Sequence, residues 1–304
     1  MSRRPRFQRS SDAPPIHLTE RDLEILRHVH KHRFLRSTHV RKLVGGSPDV
    51  VLRRLQLLFH HGYLDRPRAQ IDYYRHGSQP MTYGLGNKGA KELQQSSGIE
   101  FRKVNWTNKN RTATRVYLEH TLAVADVMIA VEIACREETN IRFIQPEEIE
   151  RQSSREPVQW SVNVRHNGKS EKFGVIPDKV FALEFREQPS KTLLVFLEVD
   201  RATMPVNRKH LKFTSFFRKM LAYQESWQQK LHTSLFTYQR CIVLAVTTSR
   251  QRVATFTEAN RSFNNGRGSG LFVFADKDVF GHAEDLLRAE LQNGRAETIR
   301  LIGN

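Results

Sequence analysis

Apolar residues recur at helical spacing in three stretches near the start of the chain. Leu23, Leu26 and Val29 follow Thr19, an N-cap with Asp22 three residues on in a near capping-box pattern. A second helix is expected to open near Ser37 or Thr38, bury Val40 and Leu43, and stop at Gly45-Gly46. The third has the clearest signals: Ser47 as N-cap, Pro48 at the first helical position, and a stripe of Val51, Leu52, Leu55, Leu58 and Phe59 before Gly62. Asp49, Arg53, Arg54, Gln56 and His60 lie off that stripe, which predicts that they face outward. Tyr63-Leu64, a basic stretch with Arg66, Arg68 and Arg75, and an apolar run at Met81 to Leu85 follow, and Gly86 to Ala90 starts another helix. The pattern is three helices, a two-stranded hairpin and a short helix.

From Gln94 to Thr114 the periodicity fades into Gln, Ser, Asn, Lys and Arg, which predicts a connection. Val116 to Ala134 is a long buried helix interrupted by Glu119, His120, Asp126 and Glu132. Strands are expected at Ile141 to Ile144 and Trp160 to Val164, with Arg151 to Pro157 as a loop between them. Two short apolar runs, Val180 to Phe185 and Leu193 to Leu197, flank a polar turn at Arg186 to Lys191 and read as a hairpin. Asp178 opens it after Pro177, and Glu198 and Asp200, two apart, point to one face of its second strand. Three converging carboxylates repel unless a hard cation such as Mg²⁺ or Mn²⁺ lies among them. The alternative reading is a hairpin whose acids pair with nearby Lys and Arg. Beyond it the pattern predicts a helix at Arg208 to Gln228, a strand at Cys241 to Val246, a helix at Ser249 to Phe263, a strand at Leu271 to Phe274 and a last helix near Asp276 to Leu291.

Charge sharpens this picture. Lys and Arg number 49 against 32 Asp and Glu, a formal charge of +17 that makes nucleic acid the expected partner. The start, residues 1–15, carries Arg3, Arg4, Arg6 and Arg9 among Ser and Pro and is expected to be a disordered basic arm. No apolar run approaches the ~20 residues that span a bilayer, and the arm lacks a signal-peptide core, so the expected compartment is the cytoplasm, with no membrane partner. Cys135 and Cys241 each lie in an apolar run and read as buried free thiols. No P-loop and no His cluster of the sort that holds a relaxase metal is present.

The first module, with Gly62-Tyr63-Leu64 ahead of the hairpin and Tyr83-x-Leu85 then Lys88-Gly89 after it, resembles the winged helix-turn-helix superfamily. The resemblance implies double-stranded DNA as partner: Arg53, Arg54, Gln56 and His60 at base edges in the major groove, and Arg66, Arg68 and Arg75 at phosphates. A winged helix used for protein contacts is the alternative. The second module, with Pro177-Asp178, the hairpin and Glu198-Val199-Asp200, resembles the PD-(D/E)xK nuclease fold, an α/β domain with a mixed central sheet. That implies a Mg or Mn site built from Asp178, Glu198 and Asp200, with Glu119 or Asp126 added from the preceding helix. Asp200 stands where that motif has lysine, so Lys209 or Lys212 is the expected substitute. Such nucleases often carry Gln-x-x-x-Tyr on the following helix; here it reads Lys219-x-x-x-Tyr223.

The two modules together, with Leu18-Thr19-x-x-Asp22, Glu119-His120 and Phe196 to Arg201, resemble the replication-relaxation proteins of plasmids and integrative elements. The expected organisation is an arm at 1–15, a winged helix at 16–95, a basic linker at 96–114 and a nuclease-like domain at 115–304. The expected function is an accessory DNA-binding role in replication or mobilisation, with a relaxase or replication initiator as candidate protein partner and a homodimer as one assembly. A Mg²⁺-dependent endonuclease and a transcriptional regulator are the alternatives.

Overall fold

The computed structural model describes residues 6–75, 79–99, 105–153, 158–166, 168–207, 215–282 and 286–303. The chain divides into two compact units, Met1–Ile129 and Ala130–Asn304, mixed α/β in character. The boundary falls inside a continuous helix rather than in a linker.

Unit one runs α1 (Glu20–His32), β1 (Phe34–Arg36), α2 (Ser37–Val44), α3 (Pro48–His60), β2 (Leu64–Asp65), a 3-10 segment (Arg68–Arg75), β3 (Thr82–Leu85), α4 (Asn87–Ser97), α5 (Trp106–Arg111) and the first part of α6 (Arg115–Glu137). The strands form an antiparallel sheet in the order β1-β3-β2. Ile25, Leu26 and Val29 of α1, Val40 of α2 and Leu55, Leu58 and Phe59 of α3 are buried with Leu64, Tyr83 and Leu85 of the sheet. The helices therefore bury most of their predicted stripes, with two departures: Leu23 is only partly buried and Leu52 is 41% exposed.

Thr19 and Asp22 form the capping box of α1. The same Asp22 carboxylate, 1% exposed, accepts Arg54 Nε of α3 at 2.9 Å and also pairs with Arg54 Nη2. One side chain thus closes the first turn of α1 and ties that turn to α3. Burial works against its charge, but hydrogen bonds from Arg54 and Thr19 hold the carboxyl below its ordinary 3.8.

Several expectations in this unit are corrected. β1 was not foreseen; its three residues are too short for a periodic signal. The basic stretch ahead of β3 holds a 3-10 segment at Arg68–Arg75. The presumed linker holds α5, whose Asn110 is buried and donates to Asp65 Oδ2 at 3.0 Å and Leu85 O at 2.8 Å, so it belongs to this unit's core. The described part of the basic arm, expected to be disordered, is engaged as well: Arg9 Nε donates to Phe59 O at 3.0 Å and Arg9 pairs with Asp65. Met1 to Pro5 lie outside the described residues.

Unit two contains the rest of α6, then β4 (Ile141–Ile144), α7 (Pro146–Ser153), β5 (Trp160–His166), β6 (Lys169–Val175), β7 (Lys179–Phe185), β8 (Leu193–Val199), α8 (Phe216–Gln228), α9 (Leu231–Phe236), β9 (Arg240–Thr247), α10 (Arg250–Asn260), β10 (Phe272–Asp276), α11 (Lys277–His282), β11 (Leu291–Asn293) and β12 (Thr298–Ile299). Seven strands form a mixed sheet, β12-β11-β10-β9-β8-β7-β4, in which β8, β9 and β10 are parallel and the β7-β8 hairpin is antiparallel. β8 is apolar at every position from Leu193 to Leu197 because both faces are covered. A large core joins this sheet to α8 and α10, with Phe216 stacked on Phe256 at 4.0 Å between ring centres. β5 and β6 form a separate two-stranded sheet.

Part of the expected loop at 151–157 belongs to α7, and the last expected helix is shorter: after α11 and a 3-10 turn, Leu291 starts a strand. Arg208 to Thr214, expected to open α8, lie outside the described residues. Cys135 is buried and Cys241 partly so; burial pushes both thiols up to about 12.

Replacing Asp22 with Ala removes the capping box and leaves Arg54 without its carboxylate. We expect a loss of about 3 kcal/mol in denaturant unfolding. A loss below about 1 kcal/mol would contradict the joint role of Asp22.

Candidate functional site

The strand order of unit two brings Asp178 and Glu198 to one end of the β7-β8 hairpin. Asp178 lies just before β7, where its N–H donates to Leu197 O at 3.0 Å and its Oδ2 accepts the N–H of Val199 at 2.7 Å. Glu198 is the penultimate residue of β8 and only 2% exposed. α8 starts at Ser215, whose hydroxyl accepts the N–H of Arg218, and it presents Lys219 and Tyr223 on one face, four residues apart. Lys219 Nζ lies 2.5 Å from Glu198 Oε2, and the Tyr223 hydroxyl donates to Glu198 Oε1 at 2.7 Å.

The electrostatics follow from burial. Desolvation, with the charge of Asp178 adding to it, pushes the Glu198 carboxyl from 4.5 to about 7 against the opposing pull of Lys219 and Tyr223. Burial alone would lower the Lys219 ammonium; the carboxylates of Glu198, Asp178 and Asp200 outweigh it and hold the group above 10.5. Burial raises the Tyr223 phenol well above its ordinary value, so it acts as a donor.

Asp200 takes a different role from the one expected. It follows β8, continues the ladder through its N–H to Val246 O at 2.8 Å, and directs its carboxylate to Arg252 of α10. Arg252 Nε reaches Oδ2 at 2.9 Å and Nη2 reaches Oδ1 at 3.2 Å, while Thr247 Oγ1 donates to Oδ2 at 2.9 Å. This bidentate pair and the Thr247 hydroxyl give the carboxylate charge-assisted partners on both oxygens. Asp200 Oδ2 also takes the N–H of Ala202, whose φ of 56° turns the chain away after the strand.

Among the described residues no group of three or more His, Cys, Asp or Glu is placed to hold a metal ion, so the four-carboxylate set expected from sequence is corrected to Asp178 beside Glu198. Glu119, expected as a ligand, accepts Arg115 Nε at 2.7 Å within unit one. Asp126 lies 2.6 Å from both Arg36 Nη1 and His39 Nε2 of that unit. Lys209 and Lys212, the expected substitutes for the missing lysine, lie outside the described residues. The lysine that reaches Glu198 is Lys219. Its i, i+4 spacing to Tyr223 was visible; that both would reach one strand carboxylate was not, because it depends on how α8 packs on the sheet.

In unit one the expected DNA-facing residues divide. Arg53 and Gln56 on α3 are exposed and have no hydrogen bond or ion pair among the described residues, and Asp49 and Val50 share the exposed surface. Arg54 and His60 are corrections. Arg54 is bound to Asp22, and His60 is buried with its Nδ1 accepting the N–H of Ser10 at 3.0 Å. Arg66 stacks over Phe59 at 4.1 Å and donates to Tyr83 Oη at 3.2 Å. Arg68 is exposed, and the side chain of Arg75 lies outside the described residues.

Fold and site define a two-unit α/β protein with a basic helical module and a mixed sheet carrying a buried carboxylate near the end of an interior strand. Residues 26–237, more than half of the chain, match the replication-relaxation family, and the chain belongs to it. No curated protein and no solved structure matches it. None of its described helices is long and apolar enough to cross a membrane.

Because folded Glu198 keeps a proton that the unfolded chain releases above 4.5, its contribution to stability is full below 4.5 and is lost as the pH rises through about 7. Relative to Glu198→Gln, wild-type stability is expected to fall by up to about 3 kcal/mol between pH 4.5 and 7.5 in urea titrations with chelator. Parallel pH profiles for the two proteins would contradict the shift.

Proposed function

We infer that this protein is a duplex-DNA-binding accessory factor in replication or mobilisation of an element's DNA, with unit one a winged helix whose α3 enters the major groove. The observation that carries the reading is the exposed face of α3. Arg53 and Gln56 are unengaged there, and both side chains suit paired hydrogen bonds to base edges. Val50, 38% exposed, and Leu52 stand on the same helix, where apolar side chains meet thymine methyl groups. The excess of positive charge supplies sequence-independent attraction to phosphates. The strand order β1-β3-β2 around three helices supports the winged-helix assignment. A relaxase or replication initiator is the class of protein partner this role calls for.

A second reading, a Mg²⁺- or Mn²⁺-dependent nuclease on a PD-(D/E)xK-like unit two, is favoured by one observation. Lys219 stands against Glu198, so α8 supplies a lysine that the strand motif lacks. Asp178 and Glu198 are hard oxygen donors of the type that fits such a cation. When bound, the ion supplies Lewis-acid stabilisation of a phosphoryl oxygen and a more acidic water. Lys219 would then hold positive charge beside the phosphate and Tyr223 would orient Glu198. Against cutting, Lys219 and Tyr223 already occupy both Glu198 oxygens and Arg252 occupies Asp200. The accessory role is therefore the first reading.

Two measurements test these readings. Wild-type protein should enrich a preferred duplex from a random pool, and Arg53→Ala with Gln56→Ala should weaken binding to that duplex by about 10- to 100-fold. Failure to enrich any sequence would contradict the α3 reading. Supercoiled DNA with Mg²⁺ or Mn²⁺ should stay uncut by wild type; metal-dependent nicking that disappears in Asp178→Ala and Lys219→Ala would establish the nuclease instead.

A further inference from the structure

The two-stranded sheet of unit two has two unlike faces. Alternate residues of β5, Trp160, Val162 and Val164, are buried, as are Phe173 and Val175 of β6. This face packs on α8: Trp160 Nε1 donates to Ser226 Oγ at 2.8 Å, and the Trp160 ring lies against Tyr223 and Phe196 at 6.0 and 5.3 Å. Arg218 covers the Phe173 ring at 4.3 Å. The ribbon is thereby fixed to the helix that carries Lys219 and Tyr223.

The other face is solvent-exposed along its length. The register pairs Ser161 with Gly174, Asn163 with Lys172 and Arg165 with Ser170, and all six are exposed. No carboxylate interrupts this row. Arg165 and Lys172 are diagonal neighbours, ~7–8 Å apart in such a ladder, and neither has an ion pair or hydrogen bond among the described residues. Gly174 is the odd member. Its φ is not in the left-handed region, and a Cβ there would meet open space, so neither backbone nor packing within the chain calls for glycine. Glycine in a strand weakens it, and a glycine on an exposed face leaves room for close approach of another molecule's backbone. The chain then runs from Val175 through exposed Ile176 and buried Pro177 to Asp178.

We propose that the β5-β6 ribbon is a second DNA-binding surface, which lies on duplex DNA with Arg165 and Lys172 on phosphates and Gly174 at the point of closest approach. Charge complementarity names the occupant: a row of two cations, hydroxyls and an amide without an acid matches a phosphodiester backbone. A two-stranded antiparallel ribbon also has the dimensions that a major groove admits. β6 leads within three residues into Asp178, so the ribbon is continuous in sequence with the end of the sheet where Asp178 and Glu198 lie. The proposal rests on the reading of the chain as a duplex-DNA-binding protein.

The test is the salt dependence of duplex affinity, measured by fluorescence anisotropy with the full chain. Two lost phosphate contacts should lower the slope of log K against log salt by ~1.8 in Arg165→Gln with Lys172→Gln, with the sequence preference intact. Gly174→Val should melt no lower than wild type, since valine favours the strand, yet bind DNA several-fold more weakly. A double variant with the wild-type slope, or a Gly174→Val protein with wild-type affinity, overturns the ribbon surface while leaving the α3 reading intact. A wild-type chain with no duplex affinity defeats both.

Discussion

A buried carboxylate constrains everything around it, and Glu198 is that group in unit two. It sits on the fully covered central strand, where an isolated negative charge costs several kcal/mol. The fold answers with Lys219 and Tyr223 from one helix, and burial raises the carboxyl to about 7. The demand reaches outward from there. α8 must place two residues, one turn apart, over the end of β8, and Ser215 fixes where that helix starts. Phe216, the first residue of α8, stacks on Phe256 of α10, and α10 in turn holds Asp200 through Arg252. The two carboxylates at the end of β8 are thus each matched to a cation from a different helix.

Unit one solves a similar problem with one residue. Asp22 is almost fully buried, yet it closes the α1 capping box and receives the α3 guanidinium. This engages the Arg54 guanidinium and leaves Arg53 and Gln56 as the unengaged polar groups beside it. The basic face presented by α3 is therefore narrower than its charge pattern suggests.

Where periodicity and caps act locally, sequence and structure agree: Thr19 and Asp22 at α1, Pro48 at α3, and the apolar runs that became β7 and β8. Elements that depend on distant partners were hidden. β1 is three residues long and exists because β3 pairs with it. α5 has a polar sequence, and Asn110 anchors it through partners 25 and 45 residues away. At the site, Asp178 and Glu198 could be placed near each other from the hairpin, because antiparallel pairing sets the start of β7 beside the end of β8. The fate of Asp200 could not, since Arg252 lies on a helix beyond another strand. The same reason separates the expected Lys209 and Lys212 from Lys219: the lysine type was anticipated, but its position depends on helix packing.

Glu198 is the buried carboxyl that Lys219 and Tyr223 hold, and the rest of unit two's site is arranged around it. The most direct measurement is an infrared pH titration of that carboxyl, taken as the difference between wild type and Glu198→Gln with metal chelated, and repeated in Lys219→Met. A midpoint near 7 is expected in wild type, and a higher one once the ammonium is gone. A midpoint near the ordinary 4.5 in both proteins would show a solvated carboxylate and contradict this arrangement.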